Sequence, residues 1–174
     1  MEREERIKAL KENGFIEVQP RYWKHIATDS RHYDIYDITN LSDFEFKRFV
    51  RRGHRLVIAG ELTDLNTYID AERKSKYDAA EIKKTETYLC QIEATRQLKG
   101  VVQTPVHLHF MHYSRDRRKD PDNLAFCKKF ILDGMVNAGV LPGDSRKYVK
   151  SFKDDFGVDK QNPRIEVTIM EVEW

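Results

Sequence analysis

A short acidic motif preceded by basic residues is the part of the sequence best suited to chemistry. Arg117, Arg118 and Lys119 run directly into Asp120-Pro121-Asp122-Asn123. Side chains two residues apart on an extended segment project to the same side, so the two carboxylates can converge. Mg²⁺ prefers such hard oxygen ligands, completed by waters and substrate phosphate oxygens, and the neighbouring cations can bind the phosphates themselves. The motif favours a metal-dependent, phosphodiester-cleaving site on a nucleic-acid-binding protein.

The same motif is also typical of a helix start. Asp-Pro-Asp-Asn combines turn residues with a good N-cap, and most isolated occurrences are explained by that alone. A calcium-binding loop is excluded, because it needs a third Asp or Asn followed by Gly at its sixth position, and this chain has Leu124 and Ala125 at those two places. The motif alone therefore does not distinguish between a metal site and a helix cap.

Composition limits the class of protein. The chain has 174 residues, which suits one domain with an appendage. Charged residues make up 34%, yet the formal net charge is only +2, so a nucleic-acid surface would have to arise from local clustering. The sequence shows neither an apolar run long enough for a membrane nor a signal peptide, and Cys90 and Cys127 lie in predicted helices as free thiols. We expect a cytoplasmic protein.

The first part of the chain carries no motif that we can assign. Residues 2–12 predict a short charged helix, and residues 15–40 predict one or two short strands. Residues 1–55 are treated as an N-terminal extension of unknown role. From there, residues 56–62 predict a strand and residues 65–68 a turn.

A long helix and a second strand follow. Residues 75–98 predict the helix, with Ile82, Leu89 and Ile92 as its buried stripe. Residues 101–113 predict the strand, with His107 and His109 sharing one face. A metal site on this histidine pair is conceivable, but no third ligand lies at a telling spacing and we assign the pair no role.

The helix after the acidic motif brings a lysine into consideration. Residues 123–138 predict this helix, and Lys129 lies seven residues, or about two turns, beyond Asp122, on the same face. Lys128 points well away. An ordinary surface pair of Lys129 with Asp133 is an equally good interpretation. Asp144 lies on the Pro-Gly turn that follows, where an isolated Asp is usually turn chemistry.

The remaining elements complete the predicted fold. Residues 148–153 predict a strand, residues 154–162 a hairpin connection and residues 164–172 a closing strand. The fold class is α/β (α+β): a mixed sheet with two long helices in the order β-α-β-α-β-β over residues 56–174, preceded by a small, mostly helical extension.

This arrangement resembles the RusA-type Holliday-junction resolvases over roughly residue 56 to the C-terminus. The shared features are Gly60-Glu61-Leu62 followed by Leu65-Asn66, the basic residues before D-P-D-N, Ala138-Gly139 with Asp144, and the closing segment Arg164-Ile165-Glu166-Val167-Thr168-Ile169. The chain departs from the family at Gly143, where many relatives carry another Asp, and in having residues 1–55.

The resemblance implies roles for individual residues. Asp120, Asp122 and Asp144 correspond to the family's metal-binding carboxylates. The family's functional lysine falls at Phe126, but alignment on Asp133 puts Lys129 in its place, with Lys128 as the other choice. Residues expected to extend the DNA-binding surface are Asn66, Arg73, Lys74, Lys76, Arg146 and Lys147, although a solvated surface explains the charged members equally well.

The implied activity is Mg²⁺-dependent hydrolysis of DNA phosphodiesters, with Mn²⁺ as a substitute, by a homodimer that nicks two opposed strands of a four-way junction. Three alternatives stay open. The protein could cut flaps or replication intermediates, bind branched DNA without cutting it, or act through a partner of its N-terminal extension.

Overall fold

The computed structural model describes residues 2–19, 22–25, 35–37, 42–43, 46, 53–98, 100, 102 and 105–171. The described elements, in chain order, are α1 (Arg3–Glu12), β1 (Phe15–Gln19), β2 (Tyr22–His25), β3 (Ile35–Asp37), β4 (Gly53–Ala59), α2 (Leu65–Lys74), α3 (Lys76–Gln97), β5 (Val106–Ser114), α4 (Pro121–Ala125), α5 (Lys128–Asn137), β6 (Val149–Val158) and β7 (Arg164–Glu171). The fold is α+β, as predicted.

The N-terminal segment begins with the predicted helix. Polar side chains satisfy backbone groups at both ends of α1. The Glu2 N–H donates to the Glu5 carboxylate (3.1 Å), and Asn13 Nδ2 donates to the Ala9 carbonyl (2.8 Å). After this helix, β1, β2 and β3 form an antiparallel three-stranded sheet. One residue of β7 joins the buried cluster of this segment, which consists of Leu10, Phe15, Trp23, Phe46 and Met170.

The main sheet is mixed and has the strand order β4-β7-β5-β6. Strand β5 lies at its centre with β7, antiparallel to β7 and parallel to β6. The hairpin predicted over residues 154–162 is wrong, because β6 continues to Val158 and β6 and β7 lie on opposite sides of β5. Asp154 and Asp155, which were predicted to lie in this connection, belong to β6, where they pair with Phe110 and Met111 of β5.

The main hydrophobic core combines the sheet with α3 and α5. Leu108 and Phe110 of β5 are completely buried in it, as the strand alternation predicts. Helices α3 and α5 approach closely at Gly134, where an added Cβ would lie 2.5 Å from the Cβ of Cys90. Both cysteines are free and buried, as predicted.

The buried face of α3 differs from the predicted stripe. Leu89 and Ile92 are 40% and 45% exposed, and the buried residues of the helix are Ala79, Thr87, Cys90 and Ala94. The close contact with α5 explains the difference, because only small side chains fit where two helix backbones nearly touch.

Two further predictions of local structure are corrected. The turn predicted at residues 65–68 is the first turn of α2, capped by the Asp64 carboxylate, which accepts the Thr67 N–H (2.9 Å). The single helix predicted over residues 123–138 is divided into α4 and α5. Between them the bonds tighten to an i→i+3 pattern, with the Lys129 N–H donating to the Phe126 carbonyl (3.1 Å).

Within the described residues, no helix combines the length and the apolarity that crossing a membrane would require.

Candidate active site

The acidic motif lies just beyond the end of β5. Asp120 has extended backbone angles and is the N-cap of α4, Pro121 begins the helix, and Asp122 lies in its first turn. The helix-start interpretation is therefore confirmed for the backbone. The Asp120 side chain makes no capping hydrogen bond, and both Asp120 and Asp122 are exposed. Both carboxylates are thus accessible to a ligand.

The three preceding cations have different surroundings. Lys119 Nζ lies 3.0 Å from Asp64 Oδ2 and 3.8 Å from Glu61 Oε2, so its charge is largely matched within the protein. Burial acts to raise the pKa of Asp64, but hydrogen bonds from Thr67 and Lys119 bring it below the usual value. The Arg118 guanidinium pairs with Asp116, whereas Arg117 is exposed.

Lys129 connects two carboxylates from different elements. Its Nζ donates to Asp133 Oδ1 (2.7 Å), one turn further along α5, and to Asp144 Oδ2 (3.3 Å) on the following turn. The hydrogen bond to Asp133, with a smaller contribution from Asp144, raises the pKa of Lys129 above its ordinary value. The surface pair and the proximity to a predicted site residue therefore both occur.

Lys128 points into a different environment. Its Nζ forms an ion pair with Asp154 Oδ2 of β6, and His112 Nε2 lies 3.0 Å from Asp154 Oδ1. The ammonium also lies 5.7 Å from the ring centres of Phe110 and Phe152. Burial opposes ionisation of Asp154, but the hydrogen bonds from His112 and Lys128 lower its pKa. Sequence reasoning missed this cluster, because its members come from three elements and share no spacing.

Cys127 extends this cluster to an arrangement that resembles a nucleophilic triad. Its Sγ lies 3.9 Å from His112 Nδ1, and His112 contacts Asp154 on its other side. The thiol is only 1% exposed, and burial raises its pKa to about 12. A thiol that stays protonated and inaccessible is a poor nucleophile, so the arrangement is structural.

The histidine pair of β5 also has a structural role. His107 Nδ1 lies 2.6 Å from Ser151 Oγ, and His109 Nε2 lies 2.8 Å from Asp155 Oδ2, both across the ladder in β6. Burial lowers the pKa of His109, which favours a neutral ring that donates its Nε2–H to Asp155. The histidines join β6 to the sheet.

The other predicted DNA-binding residues lie at the surface. Weak ion pairs join Arg73 to Asp70 (3.7 Å) and Lys74 to Asp78 (3.5 Å). Lys76 and Lys147 lie over the rings of their neighbours Tyr77 and Tyr148. Asn66 and Arg146 are exposed. Among the described residues, no hydrogen bond or ion pair links these six side chains to the three predicted metal ligands.

The structure does not gather the predicted metal ligands into one centre. The described residues, which include Asp120, Asp122 and Asp144, contain no group of three or more His, Cys, Asp or Glu side chains that could hold a metal ion. Carboxylates repel one another without a cation between them, and Lys129 supplies the positive charge next to Asp144. The residues described thus do not fit a three-aspartate metal site in this arrangement.

Comparison of the chain with protein-family models and with curated proteins finds no match to either. The resemblance to the RusA-type resolvases therefore stays a prediction based on the motifs.

Proposed function

We propose that the protein is an endodeoxyribonuclease that hydrolyses phosphodiester bonds in branched DNA, with four-way junctions as its expected substrate in recombination and repair. The observation that supports this best is the contact between Lys129 Nζ and Asp144 Oδ2 at 3.3 Å. It joins Asp144, an acid that the resemblance selected, to Lys129, the lysine that alignment on Asp133 puts in the place of the family's lysine, although the two are separated by 15 residues.

Lys129 has properties suited to phosphoryl chemistry. Its side chain is 49% exposed, so a phosphate oxygen can reach the ammonium group. The raised pKa keeps the group protonated at neutral pH, and a fixed cation next to a phosphoryl group stabilises the charge that develops during hydrolysis. Arg117, which is also exposed, is available to hold another phosphate of the substrate.

Asp120 and Asp122, whose carboxylates are exposed, would hold the expected metal, which would supply Lewis-acid chemistry when bound. Its requirement rests on the resemblance and on the accessible carboxylates of Asp120 and Asp122, since the three acids are not gathered. We infer a homodimer for the same reason, because a four-way junction has two-fold symmetry and needs two identical sites.

A second candidate is a protein that binds branched DNA without cutting it. The observation that favours it is the lack, among the described residues, of a group of acids able to hold a metal ion. The exposed basic residues would serve this function equally well.

The decisive experiment measures binding and cleavage together. Four-way junction, flap and linear duplex are each incubated with the wild-type protein and with Asp122→Asn, in Mg²⁺ and in Mn²⁺. We expect Asp122→Asn to slow cleavage by about 100-fold or more, because it removes a charged ligand, and to leave junction affinity within about threefold. Asp70→Asn, an exposed acid of α2, is the matched control and should cut normally.

The outcomes separate the candidates. Equal cleavage by Asp122→Asn and the wild type would show that the nuclease assignment is wrong. If the wild-type protein binds the junction tightly but cuts no substrate in either metal, the second candidate is favoured. If it cuts the flap in preference to the junction, the flap is the substrate.

A further inference from the structure

An open groove lies beside Asp144, between α3 and α5. Its volume is about 570 Å³, within the range of sites that hold a small ligand or part of a chain. Its charged lining consists of Lys83, Lys84, Asp133 and Asp144, and Tyr88, Gln91 and Asn137 add an aromatic ring and two amides.

The charges that line the groove balance, with two lysines against two aspartates, and Lys129 beside the groove adds a third cation. Lys83 Nζ lies 3.7 Å from Asp133 Oδ2, and Lys129 lies between Asp133 and Asp144. Lys84 is exposed and forms no ion pair with any described residue. Three lysines thus face two aspartates, and one cation is left to attract an anionic ligand.

Tyr88 provides an aromatic surface on the α3 side of the groove. Its side chain is 61% exposed, so its ring is available for stacking. The amide side chains of Gln91 and Asn137 lie in the same groove and offer donors and acceptors. Exposed aromatic rings next to lysines are the usual means by which proteins bind unpaired nucleotides, because every base has a face on which to stack.

We propose that this groove binds an unpaired nucleotide of branched DNA, stacked on Tyr88 with its phosphates at Lys83 and Lys84, and leads the strand to Lys129 and Asp144. The inference rests on the proposed function and specifies its substrate: DNA with unpaired bases at or near the cut. Double-stranded DNA gains nothing from Tyr88, because its bases are already stacked on one another.

The test is the fluorescence anisotropy of a labelled single-stranded oligothymidylate and of a blunt duplex of the same length. Tyr88→Ala should weaken binding of the single strand by about 5- to 100-fold, the value of one base–aromatic stack, and change duplex binding less than twofold. Tyr88→Phe keeps the ring and should bind as the wild type. Lys84→Gln should make single-strand affinity less dependent on salt concentration. The slope of log affinity against log salt concentration should fall by the amount that about one phosphate contact contributes.

Tyr77→Ala is the matched control. Tyr77 is 75% exposed on the same helix and is not among the groove residues. The inference is overturned if Tyr88→Ala binds the single strand within twofold of the wild type, or if Tyr77→Ala weakens it equally. It is also overturned if light scattering shows that Tyr88→Ala only splits a dimer, which would make the surface a protein interface.

The two experiments together distinguish a wrong groove proposal from a wrong nuclease proposal. Normal single-strand binding by Tyr88→Ala, together with loss of cleavage in Asp122→Asn, rejects the groove and retains the nuclease. Weakened binding by Tyr88→Ala in a protein that cuts no DNA retains the groove and rejects the nuclease.

Discussion

Two adjacent lysines have different partners, and Lys129 is the one that lies next to a predicted site residue. Consecutive residues on a helix point about 100° apart. Lys129 therefore reaches Asp144, whereas Lys128 pairs with Asp154, next to His112 in the sheet. Only the position of Asp144 and of β6 in space makes this assignment.

Substitutions of the two lysines should have different effects, one on cleavage and the other on stability. Lys129→Ala should slow cleavage by about 100-fold and leave the unfolding free energy within about 1 kcal/mol, because exposed ion pairs stabilise little. Lys128→Ala should instead lower the unfolding free energy by about 1–3 kcal/mol, since Asp154 loses a partner in a site where both side chains are only 20–21% exposed. Urea unfolding and a junction-cleavage assay measure the two effects. Loss of cleavage in a fully stable Lys128→Ala variant would reverse the assignment.

At the scale of elements, helix α3 contacts α5 on one side and strand β4 near its C-terminus. Against α5, its small residues allow the backbones to approach at Gly134. Near its C-terminus, the Gln97 amide accepts the Val57 N–H (2.8 Å) and donates to the Val57 carbonyl (2.6 Å), which satisfies the free edge of β4. The helix thereby holds α5, and with it Lys129, at a set distance from the sheet.

Gly134→Ala should disturb this packing. The new Cβ would lie 2.5 Å from the Cys90 Cβ and 2.8 Å from the Gln91 backbone nitrogen, so the helices must separate. We expect a loss of about 1–3 kcal/mol of unfolding free energy, although alanine favours helix formation. Asn137→Ala, an exposed position of the same helix, is the control and should be neutral or slightly stabilising. An unchanged melting temperature for Gly134→Ala would show that the helices are not in contact there.

At the scale of the whole molecule, stability depends on how the edge strand β6 is joined to the rest. Its main-chain ladder with β5 is reinforced by His107, His109 and His112, which contact Ser151, Asp155 and Asp154 respectively. His109 is the most buried of the three, with 1% exposed, and its pKa is lowered. The folded protein therefore binds a proton at His109 less readily than the unfolded chain does.

The unfolding free energy should consequently fall as the pH drops below about 6.5, the ordinary pKa of histidine. In that range the unfolded chain binds a proton at residue 109 that the folded protein does not, which favours unfolding with a slope of at most about 1.4 kcal/mol per pH unit. His109→Gln should flatten this dependence between pH 7 and pH 5. Urea unfolding across this range measures the slopes, and identical slopes for His109→Gln and the wild type would contradict the assignment.

The features that depend on neighbouring residues were predictable from the sequence alone. Asp120-Pro121-Asp122 begins a helix because Pro at the first helical position has a backbone angle preset for it, and β5 buries Leu108 and Phe110 because strand alternation is local. Helical geometry put Lys129 on the same face as Asp122 and turned Lys128 away, but it left an ordinary surface pair of Lys129 with Asp133 equally open.

Only the tertiary structure decided which distant groups meet. It placed small residues, and not Leu89 and Ile92, on the buried face of α3, and it made Asp154 and Asp155 part of a strand. It also brought Asp144 next to Lys129, but it did not gather Asp144 with Asp120 and Asp122 into a group of acids. The physical reason is that burial and ion pairing depend on partners far away in the chain, which residue spacing within one element does not specify.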